Sequence, residues 1–268
     1  MKIIKVNAIE LKQQDGFEGM LKHIELCGRT CYKSEDKITD GSAEKFVNML
    51  RSHAHGAMLE HGTIYLKIGP TYTLLESDLA DFFANNPYSK VITHTFDDTT
   101  EWLITTNYRV INEMPDVYKN IWEKYMCEPT EYHAKRRTFK ITCNRGVSHE
   151  FVRHRVFSFA QESQRYCNYS KDKFGKEIKV IKPLYFEEGS EKYVHWSIGC
   201  QHAECRYFDL LDKGATPQEA RDVLPNASAT ELIMTGFESD WEHFFNLRCA
   251  KDAHPQAQEV ANIIKEQF

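Results

Sequence analysis

The spacing of hydrophobic residues along the chain changes between a helical period and a strand period. Apolar residues recur every three or four positions over residues 17–27 and 41–53, and this spacing predicts two amphipathic helices. The segment Thr63–Ile68 (TIYLKI) alternates between polar and apolar residues, which predicts a strand with one buried face. Shorter strands are expected at the N-terminus (MKIIKVNAIE) and over residues 102–106, 138–143 and 179–181.

Capping signals predict where several helices begin. The segment 73–76 (TLLE) has the spacing of a capping box and predicts a helix toward Phe83. The segment 216–219 (TPQE) has the same spacing, with proline at the first helical position. Other helices are expected after Pro115, from Asn144 through Val152 and beyond, and over residues 190–212, 239–249 and 255–267.

These strands and helices are interspersed without a regular strand–helix–strand rhythm, so we expect an α+β fold. The expected architecture is a mixed or antiparallel sheet flanked by helices. The chain has no internal repeat and no Gly/Ser linker, which favours one domain over residues 1–268. Residues 71–134 contain no obvious chemical motif.

Composition indicates a water-soluble globular protein. Of 268 residues, 41% are hydrophobic and 27% are charged, and no apolar run approaches the ~20 residues that span a bilayer. The eight cysteines accompany an N-terminus that has the pattern of a strand rather than of a secretion signal. Reduced thiols and a cytoplasmic location are therefore expected.

Charge is distributed unevenly along the chain. The net charge of −5 argues against a general nucleic-acid binder, which is usually basic. Six of the twelve arginines nevertheless lie between Arg136 and Arg165. Guanidinium groups concentrated in an acidic protein indicate a specific anionic ligand.

Two familiar site motifs are absent and a third is imperfect. The chain has neither a GxGxxG dinucleotide fingerprint nor a Walker A loop. His149, Glu150 and His154 nearly form the zinc-protease motif HExxH, but the second histidine is displaced by one residue. One residue is a rotation of about 100° on a helix, so the two imidazoles would not share a metal ion.

A looser group of zinc-binding residue types lies in the helix expected over residues 190–212. Two of its histidines fall two turns apart on one helix face, which leaves a zinc hydrolase open as an alternative function. The group lacks the CxxC pairing of a zinc knuckle, so ordinary helix residues are favoured and no metal ligand is predicted. The group consists of His195, Cys200, His202 and Cys205.

The densest candidate chemistry lies in residues 150–166 (EFVRHRVFSFAQESQRY). Three arginines, two serines, an imidazole and carboxamides alternate with apolar residues, which would pin the segment to a core while its polar groups converge. Guanidinium forks, hydroxyls and backbone N–H groups together suit a phosphate or another planar anion. Two alternatives are a solvated basic helix face and an RNA- or single-strand-binding surface.

The spacing within this segment resembles the signature of flavin-dependent thymidylate synthases. Arg153-His154-Arg155 is followed by seven residues, then Ser163 and Gln-Arg-Tyr. Three further segments resemble the same family in the same order: residues 60–63 (EHGT), 220–225 (ARDVLP) and 241–248 (WEHFFNLR). The resemblance does not cover residues of about 71–134, which look like an insertion relative to short family members.

The resemblance implies reductive methylation of dUMP to dTMP. FAD would carry the hydride, methylenetetrahydrofolate would donate the carbon, and NADPH would be the reductant. It also implies a homotetramer with active sites shared between subunits, with neither a nucleic-acid partner nor a membrane. By position, the FAD-binding candidates are His61, Thr63, Arg153, His154, Arg155, Gln161 and His243. The dUMP-binding candidates are Glu150, Arg153, Gln161, Glu162, Ser163, Arg165, Arg221 and Arg248, of which Arg248 is also the catalytic candidate.

The chain departs from the family pattern in a few positions. Glu150 stands where glutamine is frequent, Gln161 where some members have glutamate, and Phe237 where many place an asparagine near the flavin. None of the eight prolines is followed by cysteine, the context in which the other thymidylate synthases carry their nucleophile. No cysteine nucleophile is therefore expected.

Overall fold

The computed structural model describes residues 1–96 and 99–268. They form nine strands within these ranges. The strands are β1 (Lys2–Ile4), β2 (Asn7–Glu10), β3 (Thr63–Ile68), β4 (Lys90–Phe96), β5 (Thr99–Asn107), β6 (Arg136–Asn144), β7 (Ser158–Gln161), β8 (Lys179–Ile181) and β9 (Ala229–Phe237).

Eleven α-helices accompany these strands in the same described ranges. They are α1 (Gly16–Tyr32), α2 (Ser42–Ser52), α3 (Gly56–Leu59), α4 (Leu74–Ala84), α5 (Tyr108–Glu113), α6 (Asp116–Lys119), α7 (Arg145–Phe151), α8 (Glu191–Asp212), α9 (Pro217–Ala220), α10 (Glu238–Arg248) and α11 (Pro255–Lys265). Short 3₁₀ turns cover Glu35–Lys37, Trp122–Tyr125, Asp172–Phe174 and Arg221–Val223.

The strands form three sheets. The largest has the order β2-β6-β9-β7, and all of its neighbouring strands are antiparallel. A second antiparallel sheet has the order β3-β5-β4, and β1 pairs with β8 in a small parallel sheet. Antiparallel sheets with helices packed on them confirm the predicted α+β class.

Each large sheet has its own hydrophobic core. One face of the four-stranded sheet packs on α7, α10 and α11 through buried side chains such as Phe139, Phe151 and Trp241. The three-stranded sheet packs on α1, α2 and α4. Residues 71–134 supply α4, β4 and β5 to this second core, and their status as an insertion remains a prediction.

Many of the elements predicted from local signals are present. The capping box at Thr73/Glu76 forms, the Glu219 carboxylate accepts hydrogen bonds from the Thr216 main-chain N–H and hydroxyl, and Asn144 and Ser190 cap α7 and α8 with their side chains. The strand Thr63–Ile68 has the predicted bounds. Within the described residues, no helix combines the length and the apolarity that crossing a membrane requires.

One helix prediction was wrong, and three strands were not predicted. The helix that begins after Asn144 ends at Phe151 instead of continuing beyond Val152. The chain then turns and enters β7, because Ser158–Gln161 pairs with β9 far along the sequence. Strands β4, β7 and β9 lacked a clear alternating pattern; β9, in particular, is buried along most of its length.

Candidate functional site

The Arg153-His154-Arg155 triplet lies in the loop between α7 and β7. Asn144 Oδ1 accepts a hydrogen bond from the Val147 N–H at 2.8 Å and so fixes the start of α7. Because α7 then has only two turns, the triplet follows its C-terminal end directly. The short helix and the short strand together hold both ends of this loop.

Arg248, at the end of α10, uses all three of its guanidinium nitrogens to contact Glu150 near the end of α7 and His154 in the loop that follows. Its Nη1 donates to Glu150 Oε2 and its Nη2 to the Glu150 main-chain oxygen, each at 2.7 Å. Its Nε donates to His154 Nε2 at 2.9 Å. Arg248, Glu150 and His154 therefore form one hydrogen-bonded cluster, although they come from two separate motifs.

His154 is neutral in this cluster. Burial, followed by the charges of Arg248 and His243, lowers the pKa of His154 to about 4. Its Nε2 accepts a hydrogen bond from an arginine, so the ring proton belongs on Nδ1. The ring packs against Phe244 with centroids 5.1 Å apart, and His243 lies next to it at 6.5 Å.

The other predicted cations of this region face solvent. Arg153 and Arg155 are exposed, and neither makes a hydrogen bond or an ion pair within residues 1–96 and 99–268. Arg165 is exposed as well, and its guanidinium carbon lies 5.5 Å from the ring centroid of Tyr166. These guanidinium groups remain available to an anion.

The residues that follow the Arg-His-Arg loop are held more tightly. Gln161 Nε2 donates to Ser148 Oγ at 2.9 Å and to Thr230 Oγ1 at 3.2 Å. The Ser163 main-chain N–H donates to the Cys31 carbonyl at 2.9 Å, which ties this loop to α1. The Ser163 hydroxyl has no partner in the described part of the chain.

Glu162 belongs to an interior charge cluster rather than to the exposed face. It is buried, accepts a hydrogen bond from the Tyr169 hydroxyl at 2.8 Å, and lies 3.9 Å from Lys33 Nζ. Burial raises the pKa of this carboxyl. Lys33 also pairs with Glu231, which in turn pairs with Lys140 at 2.7 Å.

The structure places two predicted flavin contacts away from the Arg248 cluster. His61 is fully buried, and its Nδ1 lies 2.8 Å from Thr235 Oγ1. Thr63 lines a separate cleft of about 260 Å³, where its hydroxyl accepts from Arg136 Nη1 at 3.1 Å. Arg221 is half-buried. Burial is the main cause of the lowered pKa of Arg145, and the charge of Arg221 lowers that pKa further.

A cavity of about 720 Å³ borders Glu150, and no pattern in the sequence predicted it. Gln256 lines it and is 3% exposed, and the Gln256 Nε2 has no partner in the described residues. This buried donor sits beside aromatic walls that come from distant segments, so no sequence motif could reveal it. The lining includes Asn144, Glu150, Tyr185, Trp196, His254 and Gln256.

The zinc-type residues are spread along α8. His195 and Cys205 are exposed, whereas Cys200 is buried against the helix core. Among the residues that the structure describes, no three His, Cys, Asp or Glu side chains lie together in a way that could hold a metal ion.

Part of the chain is similar in sequence to curated flavin-dependent thymidylate synthases. The chain is 33% identical to a flavin-dependent thymidylate synthase of Geobacter sulfurreducens over 118 residues, which are 44% of this chain and 49% of that protein. It is 33% identical to one from Pyrococcus furiosus over 125 residues, 46% of this chain and 50% of that protein. The aligned part thus spans about half the length of these curated relatives.

A solved structure and a family model also match the chain. A solved UMP/dUMP methylase, PolB of Streptomyces cacaoi bound to 5-Br dUMP, aligns over 100% of this chain and 91% of its own, with a TM-score of 0.45 and 17% identity. That similarity is too low to define a common fold. The family model described as thymidylate synthase complementing protein matches residues 90–268. Because this match covers well over half of the sequence, the chain belongs to the thymidylate synthase complementing protein family.

Proposed function

We propose that the protein is a flavin-dependent thymidylate synthase that methylates dUMP to dTMP. Family membership and the named relatives support this activity. Methylenetetrahydrofolate is the proposed one-carbon donor and NADPH the proposed reductant. When bound, FAD would supply the redox chemistry as the hydride carrier.

The observation that carries the proposal is the pair of exposed guanidinium groups on the Arg153–Arg155 loop, which have no partner among the residues that the structure describes. An exposed arginine without an internal partner keeps its donors for a ligand, and FAD has both a diphosphate and a ring that is anionic when reduced. Arg153, Arg155 and His243 therefore fit the flavin as donors of charge or N–H. Thr63 and Gln161 are also proposed flavin contacts. His61 is buried, so it would act on the flavin only indirectly.

Arg165, Ser163 and Arg221 suit the nucleotide phosphate. The Ser163 hydroxyl and the Arg165 guanidinium have no hydrogen-bond partner in the described residues, so both can bind an oxyanion without first breaking an internal hydrogen bond. In the part of the chain that the structure describes, the Ser163 hydroxyl is hydrogen-bonded to no base that could activate it for attack. A binding role for Ser163 is therefore better supported than a nucleophilic one. Glu162 is buried and would position the loop that carries Ser163.

Arg248 is the proposed stabiliser of negative charge on the uracil ring. Three of its five N–H groups hold Glu150 and His154, which leaves two for a ligand. Neutral His154 can accept from Arg248 Nε, whereas a protonated ring would repel the guanidinium. The cluster thus fixes the plane of the guanidinium before substrate arrives, which is how preorganised charge lowers a barrier.

FAD titration tests the proposal directly. The wild-type protein should quench or enhance flavin fluorescence on binding and melt at a higher temperature. Replacing Arg153 and Arg155 together with alanine should weaken FAD binding by at least tenfold, whereas Arg206→Ala, an exposed arginine on α8, should not change it. If FAD changes neither fluorescence nor melting of the wild type, the flavin proposal fails.

A nucleic-acid-binding function predicts a different result in the same preparation. Affinity for a fluorescent single strand would then fall steeply between low and moderate salt, and no flavin would bind. Measuring both ligands at two salt concentrations separates the two functions.

We also propose a homotetramer whose active sites combine residues from different subunits. Arg153, Arg155 and Arg165 are exposed and make no hydrogen bond or ion pair through their side chains within the described residues, which is consistent with a site that another chain completes. Mixing inactive Arg248→Ala and Arg165→Ala variants after brief denaturation should restore part of the turnover if the two residues serve one site from different chains. Each variant refolded alone is the control, and no recovery in the mixture would contradict shared sites.

A further inference from the structure

Two cations from different sheets meet at the ring of Phe237. Lys90 Nζ lies 4.5 Å from the centroid of this ring, and the guanidinium carbon of Arg136 lies 5.6 Å from it. Arg136, on β6, is the register partner of Phe237 on β9, whereas Lys90 is the first residue of β4 in the three-stranded sheet. We call Lys90 and Arg136 the cation pair.

Both members of the cation pair are bonded to neutral groups. Lys90 Nζ donates a hydrogen bond to the Ser239 hydroxyl. Arg136 Nη1 donates to Thr63 Oγ1 at 3.1 Å, and its Nη2 donates to the Glu60 main-chain oxygen at 3.0 Å. Neither cation makes an ion pair within residues 1–96 and 99–268. The structure thus brings two positive charges together without a carboxylate on either of them.

The acidic residues on the adjoining segments do not neutralise the cation pair. Glu60 Oε1 accepts from Arg109 Nη1 at 2.7 Å, and Asp240 Oδ2 accepts from the Phe237 main-chain N–H at 3.2 Å. Both cations are half-buried, so water screens their mutual repulsion less than it would at an open surface. The ring of Phe237 attracts each charge, but an oxyanion would bind both through charge-assisted hydrogen bonds.

One turn of α10 separates the cation pair from the Arg153–Arg155 loop. Ser239, which holds Lys90, and His243 are four positions apart on this helix, so they lie on one face, about 6 Å apart along the helix axis. Both side chains are exposed. The centroid of the His243 ring lies 6.5 Å from that of His154, the middle residue of the loop. One long ligand can therefore reach both the cation pair and the loop.

We propose that Lys90 and Arg136 bind the diphosphate of FAD, with the flavin ring lying toward the Arg153–Arg155 loop. This inference rests on the proposed function, which supplies the ligand. The diphosphate lies in the middle of an elongated molecule, so it needs cations apart from those that face the ring. Two of the three Lys90 N–H groups and three of the five Arg136 N–H groups remain free to donate to it. Through Lys90, residues 71–134 would contribute to the flavin site.

Flavin affinities separate a phosphate contact from a structural effect. Lys90→Met should raise the Kd for FAD about tenfold, the scale of one charge-assisted hydrogen bond, and leave the Kd for riboflavin, which has no phosphate, within about twofold. Lys90→Arg keeps the charge and should bind FAD nearly as the wild type does. Lys45→Met on α2 is the matched control, because Lys45 is exposed and makes no ion pair in the described chain. An unchanged Kd for FAD in Lys90→Met, or an equal loss for FAD and riboflavin, would overturn the proposal.

Arg136→Gln should act in the same direction as Lys90→Met, with a selective loss of affinity for FAD over riboflavin. Because this variant also releases Thr63 and the Glu60 main chain, its melting temperature is needed as the folding check. If it does not fold, Lys90→Met carries the test, since the Lys90 ammonium holds only the exposed Ser239 hydroxyl.

ADP tests the phosphate site without flavin chemistry. It carries a diphosphate but no flavin ring, so calorimetry should show binding to the wild type that is about tenfold weaker in Lys90→Met. ADP that binds both proteins equally would overturn the proposal, as would a Lys90→Met variant that loses affinity for NADPH but not for FAD. A wild type that binds no FAD would refute the proposed function instead. Selective loss of ADP binding in Lys90→Met would then still support a phosphate site at the cation pair.

Discussion

Arg248 holds Glu150 at two points, with one hydrogen bond to its carboxylate and one to its main-chain oxygen, both 2.7 Å long. This contact joins the C-terminal ends of α7 and α10 and fixes the plane of the guanidinium group. A lysine has the charge and three N–H donors but not the planar fork, so it cannot reproduce this two-point contact from two nitrogens held in one plane.

Arg248→Lys should therefore fold and bind FAD while dTMP formation falls on the order of 10²-fold, the usual scale for one preorganised charge stabiliser. Turnover under saturating substrates, with melting temperature as the folding check, measures this. Arg206→Lys on the exposed face of α8 is the control and should behave as wild type. Near-normal turnover in a folded Arg248→Lys protein would exclude the catalytic role and make Arg165 the better candidate.

Glu150→Gln should strengthen dUMP binding. The substitution removes a negative charge that would repel the phosphate, while the amide oxygen can still accept from Arg248 Nη1. Because Glu150 is partly exposed, the expected decrease in the Kd for dUMP is modest, roughly two- to fivefold. Titration calorimetry checks it, with exposed Glu242→Gln on α10 as the control. Weaker binding would mean that Glu150 contacts the base as an anion.

Acid should destabilise the fold through three histidines. The pKa of His154 is lowered to about 4, as is that of His23, and the His61 pKa is lowered to about 3. Between pH 6.5 and 4 the unfolded chain binds protons that the folded chain does not, so this stability is complete above pH 6.5 and is lost as pH falls through the folded pKa values. Each histidine accounts for at most about 2 kcal/mol at pH 5.

Urea unfolding at pH 7.5 and pH 5 measures this dependence. Glu162, whose pKa is raised by burial, titrates in the opposite sense and reduces the net slope. His154→Asn should make the unfolding free energy less dependent on pH than in the wild type. Equal unfolding free energies of the wild type at both pH values would contradict the three lowered pKa values.

Tyr169→Phe should destabilise the loop that carries Ser163. The substitution removes the only hydroxyl donor to buried Glu162 in the described residues and leaves that carboxylate with Lys33 at 3.9 Å. Losing a donor to a buried acceptor costs about 1–3 kcal/mol of unfolding free energy. Tyr166→Phe is the matched control, because its ring is exposed and its hydroxyl makes no hydrogen bond in the described chain. Equal stability of the two variants would mean that the Tyr169 bond contributes nothing.

Turnover should survive the loss of any single cysteine. Burial raises the pKa of Cys31 to about 11 and those of Cys143 and Cys167 to about 12, so these thiols are poor sources of thiolate at neutral pH. Each of the eight cysteines replaced by alanine should retain dTMP formation if the protein folds, and exposed Cys205→Ala should match the wild type. One folded variant without detectable product would refute the prediction that turnover is independent of every cysteine.

Local signals were sufficient for much of the secondary structure. The pairs Thr73/Glu76 and Thr216/Glu219 form hydrogen bonds between residues only three positions apart, so the sequence alone determines where those helices begin. The strand Thr63–Ile68 has an alternating pattern because one of its faces is more deeply buried. The Arg-His-Arg spacing likewise indicated the family, since its fixed positions lie within one short segment.

Tertiary structure alone decided how these segments combine. Strand β9 is buried along most of its length and so lacks alternation, and β7 exists because it can pair with β9, about 70 positions later. The contact of Arg248 with Glu150 and the contact of His61 with Thr235 join residues 98 and 174 positions apart. No local pattern records such pairs, because their hydrogen bonds become favourable only after the chain has packed and excluded water.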